Sequence, residues 1–199
     1  PVLMTFDGDR LETRELRVDK DMHFVLVDLL SHKDTMEILN RLNRCYPFAE
    51  NEAEQNVQRL LGPINKEIVF RAVEALQRSD APALGALMQQ AQEYFDRYAT
   101  PVCPEELTAP VLHRVLNYAP LQPHIYGCKG VGSQGDGTAQ FLCRSEADQE
   151  AVVRILENDL GLPAIKLTLK AGPKVRKAVI PAAGFGTRLF PATKATKKE

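Results

Sequence analysis

The hydrophobic period of this chain changes near Pro120, and that change restricts the possible folds more than any other feature. After Pro120, apolar and polar residues alternate, which is typical of strands. Before it, apolar residues recur every three or four positions, which is typical of amphipathic helices packed on a core. The two clearest helical stripes are Ile64, Ile68, Val69, Ala72, Val73 and Leu76, and Leu84, Leu87, Met88, Ala91, Phe95 and Tyr98. The chain therefore predicts a helical block followed by a sheet-forming region.

The strands on either side of the helical block define an element order. A buried-type strand is predicted at 23–30, before the helices, and two more at 126–131 and 138–143 after them. A helix then runs from 145 to a closing glycine at 161, and alternation over 165–169 predicts a half-buried antiparallel strand. The order is strand, helix, extra helices, strand, strand, helix, strand. This order predicts an α+β, ferredoxin-like domain with inserted helices.

Local signals place a turn and a helix start in the first quarter of the chain. Two apolar-rich runs, Val2 to Phe6 and Leu11 to Val18, are joined by an Asp-Gly pair, which predicts a hairpin of a sheet whose other strands lie elsewhere. Asp34 is a candidate N-cap, with Glu37 three residues later to reach back in a capping box. That helix is expected to end near Cys45, before a proline.

Composition excludes several classes of function. Lys and Arg number 25 against 26 Asp and Glu, so the net charge of -1 provides no positive field for nucleic acid or an anionic membrane. No apolar run approaches the length of about 20 residues that spans a bilayer, and no signal-peptide pattern opens the chain, so we expect a cytoplasmic protein. The four cysteines and four histidines lack metal-ligand spacing, which predicts reduced thiols and no metal site.

A glycine-rich segment, 129–138, connects the strands predicted at 126–131 and 138–143. Four glycines in eight positions let a backbone approach a ligand closely and turn its amides toward an anion. Lys129 beside it could favour an anion or be a simple surface charge. A purely structural turn is the alternative for the whole segment, because glycine-rich connections also solve geometric problems.

The unit from Gly127 to Cys143, within the ferredoxin-like order, resembles the third conserved motif of the GHMP kinases, which include galactokinase, homoserine kinase and mevalonate kinase. The resemblance implies that 1–171 is the C-terminal part of such a kinase, with the hairpin at 1–20 contributed by the N-terminal half, and that ATP and Mg²⁺ are its cofactors. It also implies a loop that lines the substrate and phosphate pocket with Gly130, Gly132, Ser133, Gly135 and Gly137. The family's main ATP-phosphate loop and catalytic aspartate belong to the other half, so we expect this segment alone to be inactive.

A second glycine-rich loop follows an apolar strand predicted at 177–181. A strand that leads into such a turn is where open α/β sheets bind nucleotides. The run from Lys177 to the last residue resembles the signature of sugar-1-phosphate nucleotidyltransferases, above all UTP:glucose-1-phosphate uridylyltransferases, so 172–199 is expected to be the truncated start of an α/β nucleotidyltransferase domain that uses UTP or another NTP with Mg²⁺. By resemblance, Lys198 is the catalytic lysine; the nucleobase contacts are Ala182, Ala183 and Gly184, and the triphosphate contacts are Gly186, Thr187 and Arg188.

Together the two resemblances predict a fragment of a bifunctional sugar-activating enzyme. A sugar 1-kinase would phosphorylate a monosaccharide with ATP, and the second domain would transfer a nucleotidyl group onto the sugar 1-phosphate. The expected partners are the missing kinase half, the rest of the nucleotidyltransferase and possible further copies of the chain. Two alternatives stay open, a kinase for a mevalonate-like alcohol and a non-catalytic binding or dimerisation module. The segment begins without an initiator Met, which also favours a piece of a longer protein.

Overall fold

A computed structural model describes residues 1–172 of the chain. Its strands are β1 (Val2–Asp7), β2 (Arg10–Glu15), β3 (Met22–Asp28), β4 (Ile125–Gly130), β5 (Thr138–Cys143) and β6 (Ala164–Leu169). Its α-helices are α1 (Thr35–Arg44), α2 (Glu52–Arg59), α3 (Asn65–Gln77), α4 (Ala81–Tyr98), α5 (Pro104–Leu107), α6 (Pro110–Leu116) and α7 (Glu146–Leu160). A kinked π-turn, Leu60–Ile64, joins α2 to α3, and short 3₁₀ turns precede α5 and β4.

Four of these strands form one antiparallel sheet in the order β4-β5-β3-β6. The central strand β3 pairs with β5, with Asp28 opposite Thr138, and on its other side with β6, with Met22 opposite Leu169. Strands that are not consecutive in sequence are therefore neighbours, which requires the two crossovers that the element order predicted. The predicted α+β, ferredoxin-like architecture with inserted helices is confirmed.

Helices cover both faces of this sheet. On one face, Val25 and Val27 of β3 join Phe141 of β5 in a core closed by α6 and α7. On the other face, Met22 and Leu142 pack with apolar residues of α3 and α4. A strand buried on both faces has few positions for polar residues, which explains why β3 reads as a nearly continuous apolar run.

Helix α4 lies directly on β4 because both elements have a glycine at the crossing. A Cβ on Gly127 would lie 2.1 Å from the carbonyl oxygen of Gly85, and a Cβ on Gly85 would lie 2.5 Å from the carbonyl carbon of Tyr126. No side chain fits at either position without movement of backbone. This contact brings the second half of α4 beside the end of β4, where the glycine-rich loop begins.

The inserted helices form a third core of their own. Buried residues from α1, α2 and α5 meet the end of α4, among them Ile38, Leu42, Val57 and Leu107. Asp34 caps α1 as predicted, since its Oδ1 accepts from the Glu37 amide at 2.9 Å. The predicted reciprocal bond from Glu37 is wrong. The Glu37 carboxylate accepts from Arg41 one turn later, and the Asp34 amide donates instead to Glu106 at 2.8 Å.

The edges of the structure show one confirmed prediction and one difference. Strands β1 and β2 pair as the predicted hairpin, in a separate two-stranded sheet, with Gly8 at a φ of +57° in the turn. In β6, Leu167 and Leu169 are half-buried, but Ile165 of the same alternating face is 68% exposed. Within residues 1–172, β6 is the edge strand of its sheet, so no described strand lies beyond it.

Candidate functional site

The glycine-rich loop, residues 131–137, connects β4 to β5 through several left-handed residues. Gly132 and Gly135 have φ values of +73° and +69°, and Gln134 between them has +64°, a conformation that is uncommon for a residue with a Cβ. Gln134, Gly135 and Asp136 are buried. The loop is therefore a folded part of the domain rather than an extended connection.

The base of the loop is closed by hydrogen bonds, but its own amides are not used inside the described chain. The Val131 amide donates to the Thr138 carbonyl at 2.9 Å, and the Leu29 amide donates to the Gly137 carbonyl at 3.0 Å. Within residues 1–172, no hydrogen bond has an amide of 132–137 as its donor. Successive amides in mixed right- and left-handed conformations form concave sites for anions.

Lys33, in the connection between β3 and α1, holds the loop from one side. Its Nζ donates to Ser133 Oγ at 3.1 Å and to the Gln134 carbonyl at 2.9 Å. Gly137 leaves room for this side chain, since a Cβ there would lie 2.6 Å from Lys33 Cε. The ammonium group thus places a positive charge directly against the loop.

Asp136 ties the loop to α6. Its Oδ1 accepts from the buried Leu112 amide at 2.7 Å, in the first turn of that helix. The N-cap residue of α6 itself, Ala109, has no side-chain acceptor, so Asp136 supplies the cap from a distant part of the chain. The buried carboxylate also lies at the helix end that favours negative charge.

A chain of polar side chains leads from the start of the loop along α4. The Gly130 amide donates to Gln92 Oε1 at 2.7 Å, and Gln92 Nε2 donates to Asp96 Oδ1 at 2.8 Å. His113 Nε2 lies 3.5 Å from the same Asp96 oxygen. Burial raises the pKa of Asp96, although the bond from Gln92 and the nearby His113 oppose that increase. Gln92 is 6% exposed, and both ends of this buried amide side chain are hydrogen-bonded, its oxygen to the Gly130 amide and its nitrogen to Asp96.

The Gln134 side chain lies in the space beside Gly130 that a Cβ would occupy. A Cβ on Gly130 would lie 2.0 Å from Gln134 Oε1. Gln134 Nε2 points to the Gly130 carbonyl at 3.4 Å, whereas its Oε1 is buried and accepts no hydrogen bond from the described residues. Lys129 Nζ donates to the same Gly130 carbonyl at 2.6 Å. The Gln134 side chain thus lies against the backbone at the end of β4.

The five residues predicted to line a phosphate pocket are all in this loop or at its ends, in different environments. Gly130 is covered by Gln134, Gly137 lies against Lys33, and Ser133 accepts from Lys33. Gly135 is buried near Ile38, and Gly132 is exposed. Ligand contact by these residues stays a prediction. What the arrangement offers chemically is a set of amide donors next to ammonium groups, which suits an anion.

Other candidate residues have structural partners or lie outside the described part. Asp28, at the end of β3, accepts through its Oδ1 from the Leu30 amide at 3.0 Å. All four cysteines are free and buried, and burial raises the pKa of Cys128 to about 11 and that of Cys143 to about 12. Within 1–172, no cluster of three metal-ligating side chains occurs and no helix is long and apolar enough to cross a membrane.

The residues predicted for nucleotidyl transfer all lie outside the described range: Lys198, Ala182, Ala183, Gly184, Gly186, Thr187 and Arg188.

Sequence reasoning missed Lys33 and Gln92. Gln92 follows Leu84 and Met88 at four-residue steps on the buried face of α4, so a lone amide in that apolar stripe was a detectable signal. Lys33 gave no local signal, because its partners are about 100 positions away along the chain.

The fold class is that of the C-terminal half of GHMP kinases. Solved structures with this fold include L. major mevalonate kinase in complex with R-mevalonate (TM-score 0.61, 18% identity, covering 87% of this chain and 50% of that chain). Phosphomevalonate kinase of Streptococcus pneumoniae aligns with a TM-score of 0.61 at 12% identity, over 80% of this chain and 44% of its own. Galactokinase of Lactococcus lactis, complexed with galactose, aligns with a TM-score of 0.53 at 16% identity, over 82% and 48%.

The chain spans about half the length of these solved proteins. No protein-family model matches it. Among curated proteins, UTP–glucose-1-phosphate uridylyltransferase of Mycoplasma pneumoniae is 82% identical over 27 residues, which is 14% of this chain and 9% of that protein. At these identities the structural matches establish the fold, and the short sequence match concerns only a small part of the chain.

Proposed function

We propose that this chain is the C-terminal half of an ATP- and Mg²⁺-dependent sugar 1-kinase, joined at 172–199 to the start of a sugar-1-phosphate nucleotidyltransferase. The observation that carries the kinase part is the loop 131–137. Its amides are not used within the described chain, and Lys33 lies against it. Catalysis of phosphoryl transfer depends on donors and cations that are fixed before the negative charge develops.

The sugar is favoured by the second glycine-rich motif. The identity to a UTP–glucose-1-phosphate uridylyltransferase is 82% over 27 residues, and the run from Lys177 to the last residue resembles the signature of that class of enzymes. A kinase that produces a sugar 1-phosphate would supply the substrate of such a domain directly. We therefore assign UTP or another NTP with Mg²⁺ to that part, with Lys198 and Arg188 as its cationic residues.

A kinase for a mevalonate-like alcohol is the second candidate. The alignment with L. major mevalonate kinase has a TM-score of 0.61 against 0.53 for galactokinase, and it covers more of the chain. The higher TM-score and coverage favour the mevalonate-like alcohol as substrate. Both kinases have the same fold, however, and a shared fold does not define the substrate.

A substrate panel on the complete protein that contains this chain separates the two candidates. With ATP, the sugar kinase predicts ADP formation with one monosaccharide and none with mevalonate, followed by pyrophosphate release when UTP is added. ADP formation with mevalonate alone would support the second candidate. If neither a sugar nor mevalonate yielded ADP, the kinase proposal would be refuted.

A pair of glycine variants tests whether the loop takes part. Gly135→Ala introduces a Cβ at a φ of +69°, and we expect turnover to fall about tenfold because left-handed strain of about 1–2 kcal/mol shifts the loop. Gly8→Ala is the matched control, with a φ of +57° in the distant hairpin turn and open space around it. Equal turnover in both variants would exclude a role for the loop.

A further inference from the structure

The backbone at Lys33 is held in a position from which the Lys33 side chain reaches the loop. The next residue, Asp34, caps α1, and the Asp34 amide is bound by Glu106 at 2.8 Å. The Lys33 backbone is thereby held at the start of α1, immediately after the segment in which Leu29 bonds to Gly137. Its side chain is partly buried rather than extended into solvent.

The contacts of the ammonium group fall on the strained part of the loop. It binds the carbonyl of Gln134, which is the left-handed non-glycine residue, and the hydroxyl of the preceding Ser133. A left-handed residue with a Cβ costs about 1–2 kcal/mol, and a charge-assisted hydrogen bond is strong enough to offset that cost. Two oxygen acceptors of the loop, Ser133 Oγ and the Gln134 carbonyl, are thus bound to a cation.

Gly137 lies against the same Lys33 side chain. Its φ is not in the left-handed region, so its backbone conformation is open to residues with a side chain. An added Cβ would instead lie 2.6 and 2.8 Å from Lys33 Cε and Nζ, so the end of this flexible side chain would have to move. An alanine here would push the flexible end of Lys33 away from Ser133 and Gln134 while the charge stays in the protein.

We propose that Lys33 is the positioning residue of this loop. Its ammonium group holds Ser133 and Gln134 in the conformation that leaves the amides of 132–137 to bind an anionic group, and it adds positive charge beside them. The anion-binding part of this inference rests on the function proposed above for the loop, whereas the positioning part concerns the loop conformation alone.

Amide hydrogen exchange of the 199-residue chain tests the positioning part without any ligand. The Leu29 and Val131 amides report opening of the loop base. We expect Lys33→Ala and Gly137→Ala each to accelerate their exchange about tenfold or more. The double variant should be no faster than Lys33→Ala, because the added Cβ then has no ammonium to displace. Lys66→Ala, at an exposed position of α3, is the matched control and should leave both rates unchanged.

Titration with tripolyphosphate tests the anion-binding part. Binding is measured at the individual amides of 132–137, so that tripolyphosphate bound elsewhere in the chain is not counted. We expect the affinity at these amides to fall about tenfold in Lys33→Ala and also in Gly137→Ala, which retains the charge.

The outcomes are distinct. Unchanged exchange of Leu29 and Val131 in Lys33→Ala would overturn the positioning role. An unchanged affinity in Gly137→Ala would overturn the anion-binding part, since the charge of Lys33 alone would then suffice. If exchange changes as expected but tripolyphosphate does not perturb the wild-type amides, Lys33 still positions the loop and the phosphate function proposed for the loop fails.

Discussion

Asp136 shows how a single residue can serve two elements that are distant in sequence. It belongs to the glycine-rich loop, yet its carboxylate accepts the Leu112 amide in the first turn of α6. A buried amide without an acceptor costs free energy, and the N-cap residue Ala109 has no acceptor side chain to offer. The position of the loop and the start of α6 are therefore coupled through one side chain.

Removal of this acceptor should destabilise the domain. We expect Asp136→Ala to lower the free energy of unfolding by about 1–2 kcal/mol, as for loss of an N-cap, and to accelerate exchange of the Leu112 amide. Urea denaturation and hydrogen exchange measure the two effects. Asp136→Asn keeps an acceptor oxygen and is the control, with a smaller loss. An alanine variant as stable as wild type would show that Leu112 finds another acceptor.

At the scale of elements, the crossing of α4 and β4 determines where the loop begins. Gly85 and Gly127 let the two backbones touch, and Gln92, about two turns after Gly85, then reaches the Gly130 amide. A wider separation of helix and strand would break this bond. The pair of glycines is therefore as important for the site as the residues in the loop.

The sign of the effect of Gly85→Ala tests this close contact. Helix propensity alone would stabilise α4 by about 1 kcal/mol, but a Cβ 2.5 Å from the Tyr126 backbone forces the elements apart. We expect net destabilisation of about 1–3 kcal/mol in urea denaturation. Ala86→Gly, at the exposed neighbouring position, measures the effect of helix propensity alone on the free energy of unfolding. A Gly85→Ala variant more stable than wild type would contradict the contact.

At the scale of the whole molecule, α7 is attached to the segment before β4 by a hydrogen-bonded cluster. Asp148, in the first turn of α7, accepts from Ser145 Oγ at 2.6 Å and lies 2.7 Å from His124 Nδ1. These two hydrogen bonds lower the pKa of Asp148 below its ordinary value. The cluster connects the two crossovers of the fold near the edge of the sheet.

This shift predicts how stability depends on pH. Because the folded-state pKa of Asp148 is lowered, its contribution is fully present above the ordinary Asp pKa of about 3.9 and is lost as the pH falls through the folded value. We expect Asp148→Asn to be less stable than wild type at neutral pH, with a smaller further loss on acidification. Urea denaturation across an acid pH series measures this, with Asp159→Asn on the same helix as control. Parallel pH profiles of wild type and Asp148→Asn would refute the assignment.

The amino-acid sequence by itself determined the element order and the fold class. Helical and alternating periods are local properties, so the stripe of α4, the alternation of β5 and the Ser145 and Gly161 ends of α7 were readable directly. The glycine spacing also placed the loop between β4 and β5. One local prediction was wrong, because Glu37 pairs with Arg41 instead of closing the predicted capping box.

Only the tertiary structure decided which groups meet at the loop. Lys33, Gln92 and Asp136 act on it or through it across separations of 24 to 101 residues, and such contacts depend on strand order and helix crossing rather than on any local period. Burial at an edge, as for the exposed Ile165, also depends on which strand has a neighbour. Periodicity identifies the face of an element, but only the assembled domain places another group opposite that face.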